Sequence, residues 1–449
     1  MKPYRLRLLI SLFALPCAAI AGTSPVVKAY VHDAFATATT TTVTLSESPP
    51  AAALERVGEG PHFELIFPEV SEGSATGFDD PLHGAARREV ARSVFGRLSR
   101  ILDPEPGSAR IRLDSRSPWL DDQTLAIGVP LFRCTDGFQM PIIFDALRND
   151  VHVHNFEGEL LVNFDLPISH DITTTPAGQY DLYTLLLHEA VHILGFVGFN
   201  VEADGRPTDC GGARMLPALA AHVHGEAGQA LWVEELGEIR FAGSPEDLPD
   251  STSALRIQPG SISTTDLRLA SGPLRVSGHW LPETFAQRQG VLMLREPFPT
   301  GQQRRNLTPE TKAVLSHALG YQLTEDPRGL SGAWIDPTLN GQGFTLQFLD
   351  QHRFAVFFFG FTDTGVRQWM IGYHDGTGIL GKTLDIPLFE ASGGRFTHPS
   401  PVSITESPWG ELELHFTDCL SASATLSGLD GTQSMNLVPL TPMEGLDCY

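Results

Sequence analysis

The chain has 449 residues, enough for about three domains. Its 53 acidic residues outnumber 31 basic ones, giving a net charge of −22. That balance argues against partners that need a cationic face, nucleic acid and anionic membrane surfaces among them.

The N-terminus reads as a secretory signal. Lys2, Arg5 and Arg7 precede an apolar run from Leu8 to Ala21, and Ala19-Ile20-Ala21 has the small-x-small pattern of a cleavage site before Gly22. The run is shorter than the roughly 20 apolar residues of a membrane span, and no other segment is long and apolar enough to be one. The expectation is a protein without a membrane span that is secreted, periplasmic or displayed at the cell surface. Residues 36–53 (ATATTTTVTLSESPPAAA) are rich in Thr, Ala and Pro, so 22–58 reads as a poorly ordered leader or linker.

The globular part should begin with a strand at Phe63–Phe67. Gly77-Phe78-Asp79-Asp80-Pro81 reads as a turn. Ala86, Val90, Val94, Leu98 and Leu102, at steps of four, form the apolar stripe of a helix. Ile111 and Leu113 mark another strand, Leu125–Leu131 and Ile142–Leu147 are further apolar segments, and Glu159–Phe164 is one more strand. Alternating strands and helices predict a mixed α/β layer. His152 and His154 fall on what reads as a strand, where alternate residues share a face. His222 and His224 have the same spacing. Either pair could bind a metal, although exposed strand and loop histidines usually do not.

His188-Glu189-Ala190-Val191-His192 is the most informative stretch. Two histidines four apart on a helix lie on one face, so both imidazoles can reach one metal ion at about 2.0–2.1 Å. Glu189 lies beside them, placed to act as general base toward a water that the metal activates. The pattern is that of a zinc hydrolase, most often a protease. Asp181 can cap this helix, leucines fill its first turns, and Gly195 stands where a helix needs a residue tolerant of positive φ to stop.

A catalytic zinc keeps three protein ligands and one open position. The short metzincin pattern HExxHxxGxxH would put the third histidine at position 198, which is Gly198. That leaves either a distant ligand or no complete site. A thermolysin-like site would use a downstream glutamate, for which Glu234 and Glu235 are candidates by position only.

Further along, Gly278-His279-Trp280 is followed by Val291-Leu292-Met293, Leu307-Thr308-Pro309-Glu310 and Ala318-Leu319-Gly320-Tyr321. Together with HEAVHILGF, this combination resembles leishmanolysin-type metallopeptidases and their bacterial relatives, patchily over roughly residues 60–325. In that family an insertion separates the glycine from the third histidine, a Met-turn follows, and an LT…LGY helix closes the domain. The resemblance implies a zincin-like, metzincin-like catalytic domain of mixed sheet plus active-site helix, with His279 as third Zn²⁺ ligand and Met293 as the Met-turn residue. Some metzincins place a tyrosine two residues past that methionine to stabilise the oxyanion; here the residue is Arg295. His317, in the closing helix, reads as structural.

From about Gly329 the texture changes. Short β-like runs are punctuated by Gly, Asp, Asn and Pro at intervals near ten residues, which predicts an all-β sandwich or barrel. The segments Gly332–Pro337, Gly341–Phe344, Gln368-Trp369, Trp409-Gly410 and Phe416–Cys419 resemble a module recurrent in exported bacterial proteins, with no function implied. Its tryptophans read as buried packing rather than a ligand platform. Cys134, Cys210, Cys419 and Cys448 remain after signal cleavage, an even count that predicts two disulfides in an exported chain. Cys134–Cys210 and Cys419–Cys448 keep each bridge within one domain.

The expected organisation is a signal peptide at 1–21, a leader at 22–58, an α+β zinc metallopeptidase domain at 59–325 and an all-β domain at 326–449. The expected function is a secreted zinc metalloendopeptidase acting on protein or peptide substrates, with His188, His192 and His279 holding Zn²⁺ and Glu189 as general base. The alternative is a non-catalytic surface or adhesion protein that keeps a peptidase-like fold and recognises partners through its C-terminal module.

Overall fold

The computed structural model describes residues 27–29, 52–57, 63–68, 77–102, 105–115, 120, 122–200, 206–207, 209–210, 213–224, 229–235, 238–242, 254–257, 268–272, 275–280, 291–294, 298–324, 326–393, 405–440 and 448. Its first layer is a mixed sheet of β1 (Val27–Ala29), β2 (Ala52–Val57), β3 (Phe63–Pro68), β4 (Ala109–Asp114), β5 (Ala126–Arg133) and β6 (Gly158–Val162). The order across the sheet is β1-β5-β6-β4-β3-β2. Strands β3, β4 and β6 run parallel, and β5 runs antiparallel to β6.

Helices α1 (Gly84–Ile101) and α3 (Leu182–Ile193) supply the main core with the sheet: Val90, Val94 and Leu98 join Leu65, Ile111, Leu160 and Leu186. Neighbours along a strand point to opposite faces. Leu161 therefore joins a second cluster with Ile127, Val129 and Ile142. Each such side chain contributes about 1.5–3 kcal/mol on burial.

Two details differ from the sequence expectations, and one apolar segment takes a definite form. Ala86 is exposed although Val90, Val94, Leu98 and Leu102 are buried. A step of four residues overshoots the helical turn by about 40°, so a stripe built on that step rotates off the core over its length. The segment around Ile142–Leu147 is a helix, α2 (Ile142–Asn149), which ends on Asp150 in the left-handed conformation, φ 54°. His152 lies in irregular backbone and His154 in a bend, neither on a strand. His152 is held by Glu157 at 3.0 Å and Asp150 at 3.3 Å, and His154 Nδ1 donates to the Phe156 carbonyl at 3.1 Å.

Two pieces of the segment read as a leader join the sheet. β2 pairs antiparallel with β3, and β1 pairs antiparallel with β5. Backbone pairing makes no demand on side-chain hydrophobicity, so such strands leave little trace in composition.

Beyond helix α3, a second sheet has the order β7-β11-β10-β9-β8. Its strands are β7 (Phe199–Asn200), β8 (Val223–His224), β9 (Ala254–Ile257), β10 (Arg268–Gly272) and β11 (Arg275–Trp280). Helix α4 (Pro309–Ala313) is capped by Thr308 Oγ1, which accepts from the Thr311 amide at 3.3 Å, and continues with wider turns to Ala318.

The C-terminal part is a closed antiparallel barrel of eight strands in chain order. They are Gly332–Ile335, Gly343–Phe348, Arg353–Phe361, Arg367–Asp375, Thr383–Ser392, Thr405–Asp418, Ser421–Gly428 and Gly431–Pro439. The first pairs with the last, Trp334 opposite Pro439, so no edge remains. Trp334 and Trp409 are buried, as packing requires, and donate to the Leu330 carbonyl and Asp430 Oδ2. Trp369 is about half exposed, at 47%. Cys419 and Cys448 form a disulfide. Cys134 is disulfide-bonded too, while the Cys210 side chain lies outside the described residues. No described helix is long and apolar enough to cross a membrane.

Candidate metal centre

Helix α3, which carries His188 and His192, is fixed at both ends. Asp181 caps its N-terminus, accepting from the Thr184 amide at 3.0 Å and the Thr184 hydroxyl at 2.7 Å. Arg305 neutralises this buried carboxylate at 2.6 Å. At the C-terminus Gly195 takes φ +108°. Its amide donates to the His192 carbonyl and the Phe196 amide donates to the Val191 carbonyl, the paired bonds of a glycine-terminated helix. The chain then turns sharply into β7.

That turn positions the third histidine. β7 pairs antiparallel with β11, Phe199 opposite Val276. Gly278 packs so closely on the post-helical turn that a Cβ there would lie 2.8 Å from both the Phe196 carbonyl oxygen and Val197 Cα. His279 follows directly and is 1% exposed.

The Nε2 atoms of His188, His192 and His279 converge, at 3.0 Å for 188–279, 3.1 Å for 188–192 and 3.2 Å for 192–279. His188 Nδ1 lies 2.9 Å from the Leu292 carbonyl and His192 Nδ1 lies 2.7 Å from the Phe196 carbonyl. A carbonyl only accepts, so each Nδ1 carries the proton and each Nε2 presents a lone pair. Burial, then His192, holds His188 well below the ordinary imidazole pKa, so the group stays neutral. Buried imidazole nitrogens that converge at this range can share one cation. Three nitrogens at about 2.0–2.1 Å from a tetrahedral zinc are about 3.3–3.4 Å apart, close to the observed spacing. Among the described residues, these three histidines are the group able to hold a metal ion.

Glu189 follows His188 on the same helix and is buried. Its Oε2 accepts from the Gly128 amide of β5 at 2.6 Å. Gly128 is the only residue type that fits, because a Cβ would lie 2.2 Å from the Glu189 carbonyl oxygen. Phe298 meets the His188 ring edge to face at 4.9 Å between centroids. Met293 is fully buried in a turn whose carbonyl accepts from the Trp280 amide at 2.7 Å.

No known protein family, curated protein or solved structure matches this chain.

His188, Glu189 and His192 thus sit on one buried helix, and His279 and the Met293 turn close around them. The other histidines stay apart: His222 ends a short 3-10 helix, His224 bonds the His222 carbonyl at 3.0 Å, and exposed His317 bonds Ser316 at 2.9 Å. Glu234 and Glu235 belong to a strand, Trp232–Glu235, with side chains outside the described residues, as is Arg295. Sequence reasoning missed the Leu292 and Phe196 carbonyls, the Gly128 amide and Phe298. The backbone groups carry no residue signature; only the glycine in an otherwise apolar strand hinted at a close approach.

Proposed function

We propose that this chain is an exported zinc metalloendopeptidase. The observation that carries the reading is the convergence of three buried imidazole nitrogens, two of them from a helix whose HExxH order is that of zinc hydrolases. Zn²⁺ held by His188, His192 and His279 would acidify a water and polarise the scissile carbonyl. Glu189 accepts the water's proton and passes it to the leaving amine. The Gly128 amide keeps its carboxylate aligned, so the base is set before substrate arrives.

A leishmanolysin-type arrangement accounts for the distant third ligand and for the turn at Met293, whose neighbour Leu292 orients His188. In this reading the catalytic unit spans 59–325 and the β-barrel begins near 326. Cys134 pairs with Cys210, and the disulfides fit an oxidising compartment outside the cytoplasm. The substrates are proteins or peptides. Zinc content and peptide hydrolysis of the purified chain, compared with Glu189→Ala, test the reading.

A further inference from the structure

A cavity of about 240 Å³ lies at one end of the C-terminal barrel. The character of the barrel interior changes there. Phe344, Met370 and Met435 belong to its buried core. Residues two apart on a strand share a face, and two residues from each of these, toward the same end, stand Gln342, Gln368 and Gln433. All three line the cavity, above buried Phe358, Met370 and Leu426 and beside Trp409.

Asp430 is the polar centre of this mouth. Its Oδ2 accepts from Trp409 Nε1 at 2.7 Å and from Gln368 Nε2 at 3.1 Å, and its Oδ1 accepts from the Asp363 amide at 3.3 Å. The Trp409 bond, above all, holds its carboxyl below the ordinary range. Three N–H donors therefore already compensate the charge. Gln368 Nε2 also donates to Glu390 Oε2 at 3.4 Å, which leaves the Gln368 carbonyl oxygen as an acceptor for a ligand. The side chains of Gln342 and Gln433 are half-buried and bond nothing among the described residues.

These groups select the chemistry of a ligand. The charged residues that line the cavity are Asp363 and Asp430, with no Lys, Arg or His, so an anion is repelled. An ammonium group only donates, and would leave the amide N–H groups of Gln342 and Gln433 unmatched. A hydroxyl donates and accepts at one atom, as an amide does across two. Trp409 and Phe361 add aromatic surface for the C–H face of a ring. The volume is below the roughly 300–1,000 Å³ of pockets that enclose a drug-sized ligand, so it suits a single ring.

We propose that this mouth of the barrel binds one neutral saccharide ring, held by Gln342, Gln368 and Gln433 against Trp409. The site is separate from the metal centre and does not rest on the metallopeptidase reading.

Isothermal titration of the full exported chain with glucose, galactose, mannose and N-acetylglucosamine, each in turn, tests this. At least one should bind with a millimolar Kd. Gln342→Ala and Gln433→Ala should melt like wild type and should each weaken that sugar about fivefold, the equivalent of one net hydrogen bond. Arginine and inorganic phosphate serve as cationic and anionic probes. Binding of either of these without binding of a sugar would overturn the ligand class. Unchanged sugar affinity in both variants would overturn the placement at the barrel mouth, and no binding of any of the four sugars would overturn the proposal outright.

Discussion

His188 Nε2 and His279 Nε2 lie 3.0 Å apart although 91 residues separate them in the chain. β11 brings them together by pairing with the strand that follows helix α3. Loss of the distant histidine should therefore remove a ligand and leave the helix intact. His279→Ala is expected to lose more zinc affinity than the roughly 10–100-fold that an outer-shell partner is worth. Zinc titration with a competing chelator, alongside far-UV circular dichroism, measures both. Affinity equal to wild type would remove His279 from the site.

Gly128 should be intolerant of any side chain. Its missing Cβ is where the Glu189 carbonyl passes, and its amide holds the Glu189 carboxylate. Gly128→Ala pushes β5 from α3 and shifts the base. A misplacement near 1 Å costs on the order of 100-fold in rate. The variant should bind zinc like wild type while kcat falls at least tenfold; unchanged kcat would mean that the contact does not align Glu189.

Gly195 ends the helix at φ +108° and faces the Pro141 ring, which a Cβ would approach to 3.2 Å. Left-handed backbone costs a non-glycine residue about 1–2 kcal/mol, and the contact adds to it. Gly195→Ala should lower the melting temperature by several degrees and weaken zinc binding, because the turn after Gly195 seats Gly278 and His279. Melting and zinc affinity both equal to wild type would count against this coupling.

Metal removal should destabilise the protein. Zinc at 1,000 times its Kd stabilises the folded state by about 4.1 kcal/mol. For domains of 150–250 residues each kcal/mol is worth about 2–4 °C, so chelation should lower the transition by roughly 8–16 °C. The metal-free form should also be acid-sensitive. Burial depresses the folded pKa of His188 below its ordinary 6.5. Its contribution is then full above pH 6.5 and is lost as pH falls through that value toward the folded one, at about 1.4 kcal/mol per unit. Calorimetry of the chelated protein between pH 5 and 8 measures this; a flat profile would show that His188 is not buried neutral.

The parts that were legible in the sequence are local ones. Asp181 and Gly195 bracket the helix by capping chemistry, and the regular turn residues after Gly329 announce all-β structure, sandwich or barrel. His279 was reachable only through the GHW resemblance, since no periodicity links it to His188. The alternation of His152 and His154 imitated a strand, but left-handed Asp150 and the bonds to Glu157 and Phe156 make it a loop. β1 escaped notice because three residues pairing through backbone alone have no pattern to read. The Leu292 and Phe196 carbonyls that set the imidazole tautomers are invisible for the same reason.

The most direct measurement is hydrolysis of casein by the folded, zinc-loaded exported chain beside its Glu189→Ala variant, with zinc content checked in both. General-base catalysis is worth about 10²–10⁴-fold. The account predicts cleavage by the first and at least a hundredfold less by the second, at equal zinc content. Equal cleavage by both proteins, or none by the zinc-loaded wild type, would contradict it.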